Sequence, residues 1–366
     1  MRAEYINKLT GMMEYDAMLI CPSEELLFFT GFSPMMCERF QGLFVKKDGS
    51  IFYLCNALYG GEIMAEVNGE CPVYTWHDNE GMGKVYDILK DNGLFGCTIG
   101  VNSSAQAFNV LDIAENCNVK FVNGKPLLEE VRIRKTHEEL ENMRRAAKVA
   151  DNVYDVVCGF IRPGVTEGDI RDVMVNEMVK QGGGGSDMFC IVASGPNSGF
   201  PHYSSYDRVI EEGDCIVLDW GCAINEMMSD MSRTVFVGSI TDEQRRIYDL
   251  VDRSQLVGEA TAKEGVNIPE IDIAARNVLA EEGYAETLVN RVGHGIGYSV
   301  HEGPYINQIN HRPLEKGMCF SVEPGVYLAG RFGMRIENIV CINEKGETEI
   351  LNKADRSLRV LDWWKK

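Results

Sequence analysis

An α+β fold in two domains is the class that the sequence predicts, on three observations. The chain has 366 residues, more than one core accommodates on a scale of about 100–200 residues per domain. Residues 1–128 alternate short apolar runs with helical stretches, the pattern of a small α/β unit. Past a boundary near residues 126–135, long helices stand among β segments of antiparallel character, so residues 129–366 read as a second, α+β domain.

In the first domain, residues 17–20 are an apolar run suited to a buried strand. Residues 42–45 and 51–54 flank Lys46-Lys47-Asp48-Gly49, a hairpin signal with glycine at the turn. Residues 60–67 and 82–91 read as helical, and 98–101 and 119–122 as strands. No short cluster of catalytic residue types occurs here, which fits a scaffold or a substrate-gating role.

The second domain opens on a capping box, Thr136-His137-Glu138-Glu139. Behind it Leu140, Met143, Ala147, Ala150, Val153 and Val157 recur at helical spacing, and Pro163-Gly164 is the expected stop. Thr166 opens a second helix, Thr241 a third, and a fourth follows Pro269. Residues 215–219, 233–237, 318–323 and 335–342 are strand-like, and the glycine run 182–185 reads as a flexible loop.

Charge narrows the partners. The 36 Lys+Arg stand against 55 Asp+Glu, a formal net charge of −19, in a chain 45% apolar and 25% charged. That balance argues against nucleic acid and against an anionic membrane surface, both of which attract basic faces. The twelve cysteines contain no C-x-x-C pair, so zinc ribbons and thioredoxin-like motifs are not expected. No stretch approaches the ~20 apolar residues of a membrane span, and the opening residues lack the apolar core of a signal peptide. A reducing, cytoplasmic compartment is the expectation.

His202, His294 and His301 fall where polar residues cluster. Gly293-His294-Gly295-Ile296-Gly297 lacks the strand-to-helix context of a dinucleotide fingerprint, and Ser186-Asp187 replaces the Lys-Ser/Thr that a phosphate loop needs. Four acids are better placed. Asp219 follows Ile216-Val217-Leu218, and Asp230 comes eleven residues later, before Arg233-Thr234-Val235. A strand returning on itself would set these two side by side. Glu323 closes Met318-Cys319-Phe320-Ser321-Val322, and Glu337 lies inside Met334-Arg335-Ile336-Glu337-Asn338-Ile339-Val340, where Arg335, Glu337 and Ile339 share a face. Any one such acid would ordinarily cap a turn or pair with a base. Together they would repel and desolvate badly unless cations sit among them. Four carboxylates and one imidazole suit two metal ions drawn from Mn, Co, Fe or Zn.

These residues carry a resemblance. The runs Asp219-Trp220-Gly221, Ser229-Asp230-Met231-Ser232-Arg233-Thr234, Gly293-His294-Gly295-Ile296-Gly297, His301-Glu302-Gly303-Pro304, Val322-Glu323-Pro324-Gly325 and Met334-Arg335-Ile336-Glu337 occur in family order. The chain resembles the metal-dependent prolidase and aminopeptidase P family. The resemblance implies a pita-bread catalytic domain behind a smaller creatinase-type α/β domain. It also implies two divalent ions, with manganese favoured, held by Asp219, Asp230, His294, Glu323 and Glu337, the second and last of these bridging. His202 and His301 would stand beside the substrate, Glu323 would share in proton transfer, and Arg335 would orient a ligand carboxylate. A metal-bridging water brought to a pKa of roughly 7 would attack the scissile bond as hydroxide. His301 would donate to the oxyanion, and His202 would orient the substrate or protonate the leaving nitrogen.

The implied activity is exopeptidase cleavage of Xaa-Pro bonds in small peptides, by a homodimer. In some prolidases an arginine directly follows the proline of the His-Glu-x-Pro motif and helps to bind the dipeptide carboxylate. Here that position is Tyr305, with Arg312 and Arg331 nearby in sequence, so longer Xaa-Pro peptides are also admissible. The alternative is a metal-dependent hydrolase of a small non-peptide amide on the same fold. Creatinase-like members lack the metal ligands, whereas this chain keeps five, and a binding protein without catalysis would have lost some of them.

Overall fold

Residues 17–20 form a buried strand, β1 (Ala17–Ile20), in the computed structural model, which describes residues 1–365 without the side chains of residues 186 and 187. The chain divides into two units, Met1–Arg132 and Ile133–Lys366. Among the described residues no helix is long and apolar enough to cross a membrane.

In the first unit β1 is central to a six-stranded sheet. Its other strands are β2 (Gly42–Lys46), β3 (Ile51–Asn56), β4 (Val73–Trp76), β5 (Thr98–Val101) and β6 (Lys120–Asn123), ordered β4-β3-β2-β1-β5-β6. β2 and β3 form the expected hairpin, with Gly49 at φ +87° in the turn. Helices α1 (Ala3–Met12), α2 (Glu24–Thr30), α3 (Ala57–Val67), α4 (Gly81–Asp91), α5 (Ala107–Cys117) and α6 (Lys125–Arg132) complete the α/β unit. The sequence pattern does not show α1, α2, β4 or α5, nor α6, which occupies residues expected to be the domain boundary. α2 is only seven residues long, under two turns, and β4 is a four-residue edge strand buried at one residue only, so neither carries a long apolar pattern.

The second unit begins with α7 (His137–Cys158), whose Thr136 capping box forms as expected. The helix ends at Cys158 rather than at Pro163, closing in a tightened turn in which the Phe160 and Ile161 amides both bond the Val157 carbonyl. Capping boxes also open α8 (Glu167–Lys180), α9 (Asp242–Thr261) and α10 (Ile268–Ala280). One sheet holds β7 (Gly184–Ser194), β8 (Cys215–Ile224), β9 (Met227–Met228), β10 (Met231–Val237) and β18 (Arg359–Leu361). β7 starts inside the glycine run expected to be a loop, pairing Gly184 with Ala223.

A second sheet has the order β12-β11-β13-β16-β17, from β11 (Gly293–Gly295), β12 (Glu302–Ile306), β13 (Cys319–Val322), β16 (Asn338–Ile342) and β17 (Thr348–Ile350). A two-stranded sheet pairs β14 (Gly325–Leu328) with β15 (Phe332–Arg335). Thus the β13–β16 ladder and the β14–β15 ladder are one long hairpin, interrupted at residues 323–324 on one arm and 336–337 on the other. The single strand expected over 335–342 is split at that break. There the Glu337 amide leaves the ladder and bonds the Ser232 carbonyl, 3.1 Å away. Leu218, Trp220 and Val235 pack against α7 and α8 residues such as Val153 and Met174, while Phe320, Val322 and Val340 share a core with Val251 of α9 and Ile271 of α10. Both cores pin the strands that carry the candidate acids: Asp219 lies in the middle of β8, which runs on past the end expected at residue 219, and Asp230, Glu323 and Glu337 lie just beyond strand ends.

Candidate metal centre

β8 and β10 are antiparallel, with Asp219 opposite Ser232, and Asp230 immediately precedes β10. Glu323 and Glu337 occupy the two interruptions of the long hairpin, where the backbone turns and the side chains leave the alternation of a continuous strand. His294 is the middle residue of β11. Its flanking glycines are steric necessities: a Cβ at Gly293 would lie 1.9 Å from the Ser321 carbonyl oxygen, and one at Gly295 would lie 2.1 Å from that of Gly303. The Gly-His-Gly run therefore lets two neighbouring strands approach the histidine closely.

Asp230, His294 and Glu337 each present a ligating atom, and these atoms lie within 4.8 Å of one another. His294 Nε2 is 3.1 Å from Glu323 Oε1 and 3.7 Å from Asp230 Oδ2. Its Nδ1 lies 3.1 Å from the Gly295 carbonyl, which can only accept, so Nδ1 carries a proton and Nε2 is the nitrogen that faces the carboxylates, where a cation would take the place of a proton. Asp219 joins through Arg335, whose Nη2 donates to Asp219 Oδ2 at 2.6 Å. All five expected ligand residues are buried.

Burial first, then repulsion from Glu337, Asp219 and Glu323, pushes the Asp230 carboxyl well above the usual range, against the pull of Arg335. Glu337 is driven up in the same way, by burial and then by Glu323 and Asp219. For Glu323, burial is outweighed by the His294 hydrogen bond and charge and by Arg335, and its carboxyl is held down at about 2. Asp219 Oδ1, Asp230 Oδ1 and Glu337 Oε1 are buried with no hydrogen-bond partner among the described residues. Three orphaned carboxylate oxygens around one imidazole are a donor set that fits hard or borderline divalent cations.

His301 is exposed, and its ring meets His294 edge-on with centroids 4.2 Å apart. Desolvation on its packed side, then His294 and Arg291, lowers its pKa to about 4, so the ring is neutral at neutral pH. His202 is exposed, follows Pro201, whose carbonyl accepts from Arg335 Nη1, and is among the charges acting on His301. Arg312 and Arg331, in contrast, are taken up by carboxylates, Glu315 at 2.9 Å and Glu243 at 2.6 Å.

The hydroxyls that brace these groups are not among the residues expected from the sequence. Ser232 Oγ donates to Glu337 Oε2 at 2.6 Å and accepts from Arg335 Nε, while the Tyr327 hydroxyl accepts from Arg335 Nη1. Ser321 Oγ donates to Glu323 Oε1 and accepts the His294 amide. Both serines stand two residues from an acid, Ser232 after Asp230 and Ser321 before Glu323. The period-2 reading that linked Arg335 to Glu337 would have found them.

A further bracing pair is buried beside His301. Lys135 Nζ donates to Glu302 Oε1, and both side chains are about 1% exposed. Lys135→Met is expected to cost about 3 kcal/mol in urea unfolding, because it removes a buried ammonium from a buried carboxylate. Lys135→Met combined with Glu302→Gln should recover part of the loss, and a single variant as stable as wild type would refute this.

Buried carboxylates and an imidazole converging where one β-hairpin breaks between two sheets define a metallohydrolase. More particularly, the chain belongs to metallopeptidase family M24, whose model matches residues 141–344, and the Creatinase/Prolidase N-terminal domain model matches residues 2–134. The expected α+β architecture, a pita-bread domain preceded by a creatinase-type α/β domain, therefore holds. The chain is 32% identical to the Xaa-Pro dipeptidase of Pyrococcus furiosus over 360 residues, 97% of this chain and 99% of that protein. Among solved structures, the prolidase from Thermococcus sibiricus is similar with a TM-score of 0.91 at 29% identity, over 98% of each chain. The X-Pro aminopeptidase from Thermotoga maritima gives 0.83 at 30% identity, over 98% of this chain and 99% of that one.

Proposed function

We propose that this protein is a prolidase-type exopeptidase that hydrolyses Xaa-Pro dipeptides with two divalent cations, manganese being favoured. The observation that carries the reading is the convergence of Asp230, His294 and Glu337 with buried, unpartnered carboxylate oxygens. Asp219, Asp230, His294, Glu323 and Glu337 would hold the ions. When bound, the ions supply a water acidic enough to act as nucleophile at neutral pH and an electrophile for the scissile carbonyl.

The remaining work falls to the chain. Glu323, which Arg335 helps to keep ionised, receives a proton from the nucleophile. The same carboxyl can then relay that proton to the leaving prolyl nitrogen. His301, neutral at working pH, donates a ring N–H to the developing oxyanion without bringing a net charge beside the cations. His202, at the exposed side, orients the substrate or assists protonation of the leaving nitrogen. The substrate's free α-amine is favoured next to carboxylates, which selects exopeptidase cleavage.

Likeness to an X-Pro aminopeptidase, together with Tyr305, favours testing longer substrates as well. Twelve free cysteines, ten of them buried, support a reducing cytoplasmic setting. The assembly proposed is a homodimer, and a monomer by light scattering would overturn that part.

Metal-loaded protein is expected to release proline from a panel of Xaa-Pro dipeptides, to lose the activity on chelation and to regain it with Mn or Co. No proline release across the panel refutes the substrate. Activity that survives chelation refutes the metal requirement.

A further inference from the structure

We infer that Arg291 is the specificity residue that reads the free C-terminal carboxylate of the substrate; the inference rests on the dipeptidase reading above. Arg291 lies three residues before His294 on the segment that leads into β11. Its guanidinium stands over the Tyr305 ring, 4.9 Å from the centroid. Its charge acts on His301, the histidine at the mouth of the site. Arg291 is half-buried, and its Nε is buried without a hydrogen-bond partner.

Among the described residues Arg291 makes neither an ion pair nor a hydrogen bond, in a chain with 55 acidic side chains available. Arg312 and Arg331 show the ordinary outcome, since each has found a glutamate. A guanidinium that is partly desolvated yet unpaired has lost water contacts with no carboxylate in return, and it therefore favours an anion brought from outside. Its planar fork matches a carboxylate, and the aromatic face beneath fixes the plane of that fork. Tyr305 thus carries no charge itself but positions one, which restores a carboxylate-reading cation at a position where the side chain of residue 305 cannot supply it.

The chemical class selected is a short zwitterionic peptide, with its α-amine toward the carboxylates and its carboxylate toward Arg291. The test compares metal-loaded wild type, Arg291→Met, Arg291→Lys and Tyr305→Leu on dipeptides offered as free acids and as C-terminal amides. The panel includes Xaa-Pro and non-proline dipeptides. Wild type is expected to prefer the acid. In Arg291→Met the acid-to-amide ratio of kcat/KM should collapse by at least about tenfold, through KM for the acid, with metal content at the wild-type level. Arg291→Lys should keep part of the preference, and Tyr305→Leu should weaken it. Arg291→Lys carries the same comparison if the methionine variant does not fold.

Preference for the acid on non-proline dipeptides alone refutes the proline reading and still tests Arg291. A preference that persists in Arg291→Met, or a wild type that takes acid and amide alike or cleaves neither, overturns the assignment.

Discussion

Asp230→Asn and Glu337→Gln are each expected to strip the purified protein of divalent metal and to lower turnover by at least about 10³-fold, since each removes a charged ligand from a site whose cations supply several kcal/mol of transition-state stabilisation. The same substitutions should leave the metal-free fold intact or make it more stable. Both carboxyls are buried, and both are pushed well above the usual range by burial and by their acidic neighbours. A folded-state pKa raised above the unfolded one favours the folded state at low pH, and that advantage is lost as pH rises through the folded value. Metal-free wild type should therefore lose stability as pH rises toward neutrality, and each variant should flatten that slope by removing one of the two groups. Cations need the ionised carboxylates, so the Tm gained by adding Mn should grow with pH in wild type and shrink in the variants. Elemental analysis and melts with and without chelator read both effects. Wild-type metal content in both variants would refute their assignment as ligands.

The candidate ligands were easier to single out in the sequence than the boundaries of the elements around them, for physical reasons. A carboxylate at the end of an apolar run is costly wherever it lies, so Asp219, Asp230, Glu323 and Glu337 stood out without any knowledge of what they face. Gly293-His294-Gly295 was visible as an oddity, but its cause is the approach of Ser321 and Gly303 from neighbouring strands, which no local pattern records. The three-residue β11 and the break at Glu337 were illegible for the same reason: each exists because of a partner distant in sequence. Long helices were the reverse case. The Thr136, Thr166 and Thr241 caps are satisfied within four residues, and all three formed where the sequence placed them. Arg291 was passed over because an arginine is informative only when it lacks a partner, and that is a property of the surroundings.

Arg335→Met should be the most damaging single change to stability among the residues bracing the centre. Arg335 is about 1% exposed, and all three of its guanidinium nitrogens are engaged: Nη2 to Asp219 Oδ2 at 2.6 Å, Nε to Ser232 Oγ at 2.8 Å, Nη1 to the Tyr327 hydroxyl at 2.7 Å and to the Pro201 carbonyl at 3.2 Å. Burial disfavours its charge, but Tyr327, Asp219, Glu323 and Glu337 outweigh that and hold the proton on. Methionine fills a similar volume and removes the charge, leaving four buried carboxylates with one fewer cation. Breaking a buried pair in this way costs about 3–5 kcal/mol, and the methionine variant should lose that much in denaturant unfolding of the chelated protein. Bound cations would offset part of the missing charge, so the deficit should be smaller in the metal-loaded protein than in the chelated one. Arg335→Lys keeps the charge but not the fork, and it should fall between wild type and the methionine variant. The ordering separates electrostatics from packing: a cavity or a misfit would cost the same with and without metal, whereas a missing charge would not. A methionine variant within about 1 kcal/mol of wild type after chelation would show that the acids tolerate one another without Arg335. In that case the reason for expecting cations among them would fail as well.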